Sequence, residues 1–328
     1  YPTDDVLPRG PLPQRWLDYR GHYLHGDRIV LSYAIDGREI LEVPSAIDGK
    51  TTVRQTLRIG EGKALILAVG PHQPQISGDT TGVTVTLDKQ QHWVVRIPRD
   101  NDSRLLDIVR FANADADSPK RKNLSLERID PAEMVAGGDL RWPQTLETVG
   151  YRGFQDGAYA VDTISVPEST PWNTWFRTSA IDFFPDGRLA VATVGGDVWI
   201  VSGVDDDLMN LKWKRFAGGM YEPFGIKVVD GLIYVTCKDR LTRLHDLNND
   251  GEADFYESFS ADTDVSTYFH AFNFDLQTDS QGNFYYAKSG QYTDYKLPGA
   301  VVKVSPDGKT RSIVCTGLRT PNGMGILP

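Results

Sequence analysis

Ile181-Asp-Phe-Phe-Pro-Asp-Gly-Arg-Leu-Ala-Val-Ala192 reads as strand, tight turn, strand, and the chain repeats that reading in Gly225-Ile-Lys-Val-Val-Asp-Gly-Leu-Ile-Tyr-Val-Thr236 and in Phe274-Asp-Leu-Gln-Thr-Asp-Ser-Gln-Gly-Asn-Phe-Tyr-Tyr-Ala287. In each copy a β-rich run meets a Gly-containing turn and returns as a second β-rich run, the pattern of a hairpin. The turn glycines Gly187, Gly231 and Gly282 lie 44 and 51 residues apart. That spacing matches four-stranded propeller blades, which repeat at roughly 40–50 residues. A second register agrees: Gly219-Met-Tyr-Glu-Pro-Phe-Gly-Ile226 aligns with Gly317-Leu-Arg-Thr-Pro-Asn-Gly-Met324, with Pro223 and Pro321 98 residues apart.

The repeat predicts a β-propeller over residues 152–328. This span holds about three blades and the opening strand of a fourth, whereas closed propellers have roughly four to eight. The propeller is therefore expected to be incomplete in this chain, either because the chain is a piece of a longer protein or because another chain completes the ring. Residues 1–115 have the same all-β punctuation, with Arg28–Ala34, the turn Asp36-Gly37 and the return Ile40–Val43, then Val83–Leu87 and His92–Ile97. They predict a β-sandwich-like domain. Helical periodicity appears only weakly, near Ser103–Ala112. Residues 116–151 read as a polar linker, and the run Lys120-Arg121-Lys122 within it reads as a solvated face.

Composition narrows the function classes. At 328 residues with 40% hydrophobic and 10% aromatic content, the chain is long enough for two packed domains and too apolar for disorder. Its net charge of −9 argues against a nucleic-acid binder, whose affinity rests on neutralising phosphates. Small or neutral partners fit better. No apolar stretch reaches the ~18–20 residues that span a bilayer. The sequence opens on Tyr1 without a basic and apolar leader, so a removed signal or a cut chain is expected. Cys237 and Cys315 are too few for a disulfide framework and are expected to be buried thiols.

The sharpest local signal is Asp246-Leu-Asn-Asn-Asp-Gly-Glu-Ala-Asp-Phe-Tyr-Glu257. It fits a Ca²⁺ loop, with side-chain oxygens at Asp246, Asn248, Asp250 and Asp254, a carbonyl at Glu252 and a closing carboxylate at Glu257. Its flanks read as extended chain, so the loop would sit between strands and serve structure. The alternative is an acidic surface turn without metal.

His270, in Tyr268-Phe-His-Ala-Phe-Asn-Phe274, precedes an inner strand, where propellers present side chains to the central channel. A neutral imidazole there could take a proton from a substrate hydroxyl; the alternative is a packed, hydrogen-bonded histidine. Arg319 and Asn322 occupy the equivalent entrance one blade later. Arginine suits bidentate capture of a carboxylate, or it is a surface residue of the turn. Lys288 and Arg177 point weakly to the same region. His22 and His25, three apart on a strand-like segment, should face opposite sides and share no metal.

With repeat, loop and turn in view, the propeller half resembles the glucose/sorbosone dehydrogenase-like propellers. In the soluble pyrroloquinoline quinone (PQQ) enzymes of that group a channel histidine acts as base and an Arg-Asn-Pro-Gln-Gly segment helps hold the quinone. Here that segment reads Arg319-Thr-Pro-Asn-Gly323. The whole chain is similar to large exported bacterial proteins classed as membrane-bound dehydrogenases, in which a domain of unknown function with a motif like Tyr23-Leu-His-Gly-Asp-Arg28 precedes a propeller and a c-type haem domain often follows.

The resemblance implies an exported, periplasmic or extracellular oxidoreductase of sugars or other alcohols. Its catalytic residue would be His270, its cofactors Ca²⁺ and PQQ, and its electron partner a haem domain. A second reading is a non-catalytic glycan- or protein-binding scaffold, with Trp172 and Trp175 stacking on sugar faces or buried in core. A polysaccharide lyase or hydrolase ranks below both, because no paired catalytic carboxylates can be picked out.

Overall fold

The computed structural model describes residues 16–47, 52–111, 127–291 and 294–327. The chain divides into two compact units, Tyr1–Asp139 and Leu140–Pro328. Among the described residues the structure is all-β, with antiparallel sheets and a single 3-10 turn at Pro131–Met134. The cluster Lys120–Lys122 lies outside the described residues.

In the first unit the strands are β1 (Leu17–His25), β2 (Arg28–Ile35), β3 (Arg38–Ala46), β4 (Thr52–Ile59), β5 (Leu65–Gly70), β6 (Gln75–Gly78), β7 (Thr84–Leu87), β8 (Trp93–Ile97) and β9 (Arg104–Phe111). One sheet runs β1-β2-β3-β4-β9-β6 and a smaller one β5-β8-β7. The β2–β3 hairpin turns on Asp36-Gly37, both at positive φ. Two such residues are what a two-residue type I′ turn needs. Ile40, Leu57, Ile59, Leu106 and Ile108 of the larger sheet share a buried core with Leu65, Val69, Val95 and Ile97 of the smaller. Each such side chain contributes about 1.5–3 kcal/mol on burial. Near Ser103–Ala112, where helical spacing is faintly visible in the sequence, the structure has the strand β9, Arg104–Phe111. It lies between β4 and β6 and is buried on both faces, so its apolar residues need not alternate.

The second unit contains β10 (Thr145–Thr148), β11 (Thr178–Phe183), β12 (Leu189–Thr193), β13 (Val198–Ser202), β14 (Leu211–Ala217), β15 (Gly225–Val229), β16 (Leu232–Thr236), β17 (Arg240–His245), β18 (Phe255–Ala261), β19 (Asn273–Thr278), β20 (Phe284–Lys288), β21 (Val301–Val304) and β22 (Arg311–Cys315). The repeat read from the sequence becomes three antiparallel arrays, ordered β10-β14-β13-β12-β11, β15-β16-β17-β18 and β19-β20-β21-β22. The first array buries Trp199 and Trp213 among Leu189, Val191 and Leu211. The second and third share a core of Tyr234, Leu241 and Phe259 with Leu276, Phe284 and Tyr286.

Their first strands lie side by side. The Asp275 N–H donates to Phe224 O at 2.9 Å, and a Cβ on Gly225 would overlap Asp275 O. Residues 140–151, expected at the end of a linker, carry β10. This strand pairs with β14 far along the chain and so belongs to the second unit.

Candidate functional site

A backbone bond fixes the start of each array. In the first and third arrays the residue following the second strand donates to the residue just before the first, Val194 N–H to Arg177 O at 2.9 Å and Ser289 N–H to Phe272 O at 3.1 Å; in the second, Lys238 N–H donates at 2.9 Å to Tyr221 O, four residues before the first strand. In the third array Asn273 pairs with Lys288, which brings the entry segment carrying His270 against the connection that begins at Ser289. Ser289 Oγ approaches His270 O at 3.5 Å. The next residue, Gly290, donates its N–H to Arg319 O at 2.5 Å. A Cβ at Gly290 would overlap Leu318 O, so the close approach of these two segments requires glycine there. Ser289 and Gly290 thus join the segments bearing His270 and Arg319.

The His270 side chain is exposed, with its ring 3.7 Å from that of Phe269. Arg319 and Asn322 are also exposed. Near these segments lie buried charges that the sequence reading missed or only touched. Lys238, 3% exposed, donates to Glu222 Oε2 at 3.1 Å and to Tyr268 O at 2.9 Å. It therefore holds the His270 segment two residues upstream. Glu222 sits at φ +47°.

Lys288, buried at 1% exposure, donates to Asp262 Oδ2 at 2.8 Å and Asp264 O at 2.6 Å. Burial pushes the Asp262 carboxyl up, but Lys288, Tyr286 and Arg311 outweigh it and hold the group below the usual carboxylate range. The available signal was a lysine closing a β-rich run; nothing local named its partner. Arg177 immediately precedes β11 of the first array, its guanidinium 5.5 Å from the Trp175 ring. Trp172 packs against the core of that array, while Trp175 is 71% exposed.

In the acidic loop, Asp246 accepts the Asp250 and Gly251 N–H groups at 3.1 and 2.9 Å. Asn248 donates to Asp250 at 3.0 Å, and Asp254 Oδ2 accepts Leu247 N–H at 2.7 Å. These are oxygen donors of the kind Ca²⁺ prefers, here bonded to the loop's own amides. One expected ligand, the Glu257 carboxylate, is engaged elsewhere, and so is the side chain of Glu252, whose expected ligand is its backbone carbonyl. The Glu252 carboxylate accepts from Arg141 and Trp142 N–H and pairs with Lys214 at 2.9 Å. Glu257, on β18, is held by Arg243 and His245 at 2.6 Å each. Among the described residues no group of three or more His, Cys, Asp or Glu side chains stands placed to hold a metal ion.

His22 and His25 go to different partners, Tyr19 Oη at 3.2 Å and Gly137 O at 3.0 Å. His25 lines a cavity of about 510 Å³ together with Asp27, Arg28 and Asp139. Cys237 is buried and Cys315 exposed, both free thiols, so only the first matches the expectation of burial. Burial pushes the Cys237 thiol up to about 12, which leaves it unreactive.

Residues 1–42 match a family described as Domain of unknown function (DUF6797). No curated protein matches the chain. A solved structure from Thermus thermophilus, assigned as an oxidoreductase (glucose dehydrogenase), is similar at 13% identity and a TM-score of 0.33. The similarity covers 45% of this chain and 54% of that one. Among the described residues no helix is long and apolar enough to cross a membrane.

Proposed function

We propose that the three arrays are blades of a β-propeller following a β-sandwich-like domain, and that the protein is an exported oxidoreductase acting on a hydroxyl of a sugar or other alcohol. The observation that carries this reading is the joining of the His270 and Arg319 segments through Ser289 and Gly290. It sets the segment of an exposed imidazole beside that of an exposed guanidinium. His270 removes the hydroxyl proton as general base. Lys238, through Tyr268 O, and Ser289, through His270 O, hold the segment that carries it.

What supports a carboxylated quinone as the cofactor is the chemistry of Arg319. Lys238 and Lys288 are committed to Glu222 and Asp262, whereas the Arg319 guanidinium has no hydrogen bond or ion pair among the described residues and is free to meet a carboxylate, with Asn322 three residues further along the same exposed segment. PQQ bound there would supply the hydride acceptor. In this proposal Ca²⁺ is structural and would be held, on rearrangement of the acidic loop, through Asp246, Asn248, Asp250, Asp254 and the Glu252 carbonyl, and a c-type haem domain or a chain completing the propeller is the protein partner.

The test is His270→Ala in protein supplied with PQQ and Ca²⁺. Because the side chain is exposed, near-ultraviolet circular dichroism should be unchanged while kcat falls by at least ~100-fold, the usual worth of a general base. Unchanged turnover refutes the assignment. The exposure of Trp175 favours a second reading, a glycan-binding scaffold: glycan affinity lost in Trp175→Ala, with no turnover under any cofactor, would select it.

A further inference from the structure

Among the described residues β10 is the outermost strand of its array and is paired on one side only, with β14. Its other edge faces a groove of about 740 Å³ whose far wall is Ser165–Ser169. Among the described residues no backbone hydrogen bond crosses between Thr145–Val149 and residues 165–169. The two walls meet instead at defined points. Thr148 Oγ1 donates to Ser165 O at 2.7 Å, and beyond it Tyr151 and Thr163 exchange backbone bonds of 2.9 and 2.7 Å.

The edge is rigid. Leu146 packs into the core, and Thr148 Oγ1 accepts from the buried Trp213 indole at 2.9 Å. Alternate N–H and C=O groups of β10 are therefore held outward, towards the groove. Natural sheet edges are usually blunted by proline, bulges or lysine, and Thr-Leu-Glu-Thr has none of these. The charged side chains lining the groove are Glu147 and Glu168, with no cation among the lining residues. At its closed end the chain exposes Tyr151, Phe154, Tyr159 and Val161, between 66% and 92% exposed. Apolar exposure of this kind marks an interaction surface.

We infer that this groove takes an extended, Lys- or Arg-bearing segment of another protein, which adds to β10 as a strand. Main-chain bonds to β10 give the affinity, alternate side chains reach the two walls, and the two glutamates select a cationic sequence. Four residues of β10 would pair with an occupant of similar length, about 13 Å at 3.3 Å per residue.

The probe is a panel of fluorescein-labelled hexapeptides that alternate Val and Thr between terminal Lys residues, with Glu-flanked copies, measured by anisotropy against the full chain. Lys-flanked peptides should bind. N-methylation of one alternate set of their amides should weaken binding at least about tenfold and methylation of the other set little, because only one set faces β10. Glu147→Lys with Glu168→Lys should weaken binding about fivefold or more.

Four results overturn the inference. The first is no binding by any panel member up to about 1 mM. The second is binding indifferent to N-methylation. The third is a concentration-dependent dimer abolished by the two Glu→Lys changes, which would make a second copy the occupant. The fourth is amide-exchange protection of Leu146–Val149 in the free chain equal to that of β14, which would put a segment of this chain in the groove.

Discussion

Lys288→Met should cost the second unit about 3 kcal/mol, the lower end of what breaking a buried ion pair costs. Methionine keeps most of the length of the side chain and removes its charge, so little cavity forms and the loss is electrostatic. Lys288 Nζ lies 2.8 Å from Asp262 Oδ2 and 2.6 Å from Asp264 O, and the Lys288 and Asp262 side chains are 1% and 3% exposed. Removing one partner of a buried pair costs about 3–5 kcal/mol because a charge is left uncompensated. The lower end applies here, since Asp262 keeps the Tyr286 hydroxyl at 2.7 Å and Arg311 at 3.0 Å.

The pH dependence follows from Asp262, whose carboxyl is raised by burial but held below its usual range by Lys288, Tyr286 and Arg311 together. A depressed folded-state carboxyl contributes stability above its unfolded pKa of about 3.9 and loses it as pH falls through the folded value. Without Lys288 this contribution shrinks, so the gap between variant and wild type should narrow on acidification below about pH 4. Urea unfolding followed by tryptophan fluorescence at neutral and acid pH measures both. Lys288→Met with Asp262→Asn should recover about 2 kcal/mol, as neutralising both partners removes the stranded charge. A loss under about 1 kcal/mol at neutral pH, or a gap that widens in acid, would refute the assignment of this pair as a buried clasp.

Gly225→Ala should destabilise the unit by about 1–3 kcal/mol in the same assay, because its Cβ would meet the Asp275 carbonyl where β15 and β19 approach. Burial raises the Glu257 carboxyl, but His245 and Arg243 outweigh it and hold the group below its usual range. Its stabilising share is present above about pH 4.3 and lost below, so Glu257→Gln should flatten the acid limb of a stability–pH curve. Calcium should raise the melting temperature. Asp250→Ala should abolish that rise, and Glu257→Gln should leave the calcium affinity unchanged, because its carboxylate is committed to Arg243 and His245.

What the sequence disclosed was whatever a few adjacent residues decide. Asp36-Gly37 and Asp230-Gly231 place consecutive residues at positive φ, a demand met by few residue types, so their hairpins and the blade-like spacing were legible. Strand β9 was less so. Leu105, Leu106, Ile108 and Val109 are all buried, and a strand covered on both faces shows apolar spacing that imitates a helix. β10 was not legible: four residues, Thr-Leu-Glu-Thr, look like loop until Leu146 meets Trp213 across the ladder.

The same limit explains why the entry segments carrying His270, Arg319 and Asn322 could be placed along the repeat while the groups that hold the His270 segment could not. Equivalent positions in a repeat follow from its period, but the ion pairs of the three arrays do not repeat in kind. Arg215 pairs with Asp197 over 18 residues, Lys238 with Glu222 over 16, and Lys288 with Asp262 over 26. What the two lysines share is a physical task. A segment that leaves the ladder takes its carbonyls away from their sheet partners, and those carbonyls must be satisfied as the chain turns inward. Lys238 meets Tyr268 O and Lys288 meets Asp264 O, and each lysine is then neutralised by whichever carboxylate the neighbouring loop supplies. That task calls for a buried cation without dictating its partner or spacing. The scaffold of the His270 segment is therefore encoded in three-dimensional proximity, while His270 itself is encoded in the repeat.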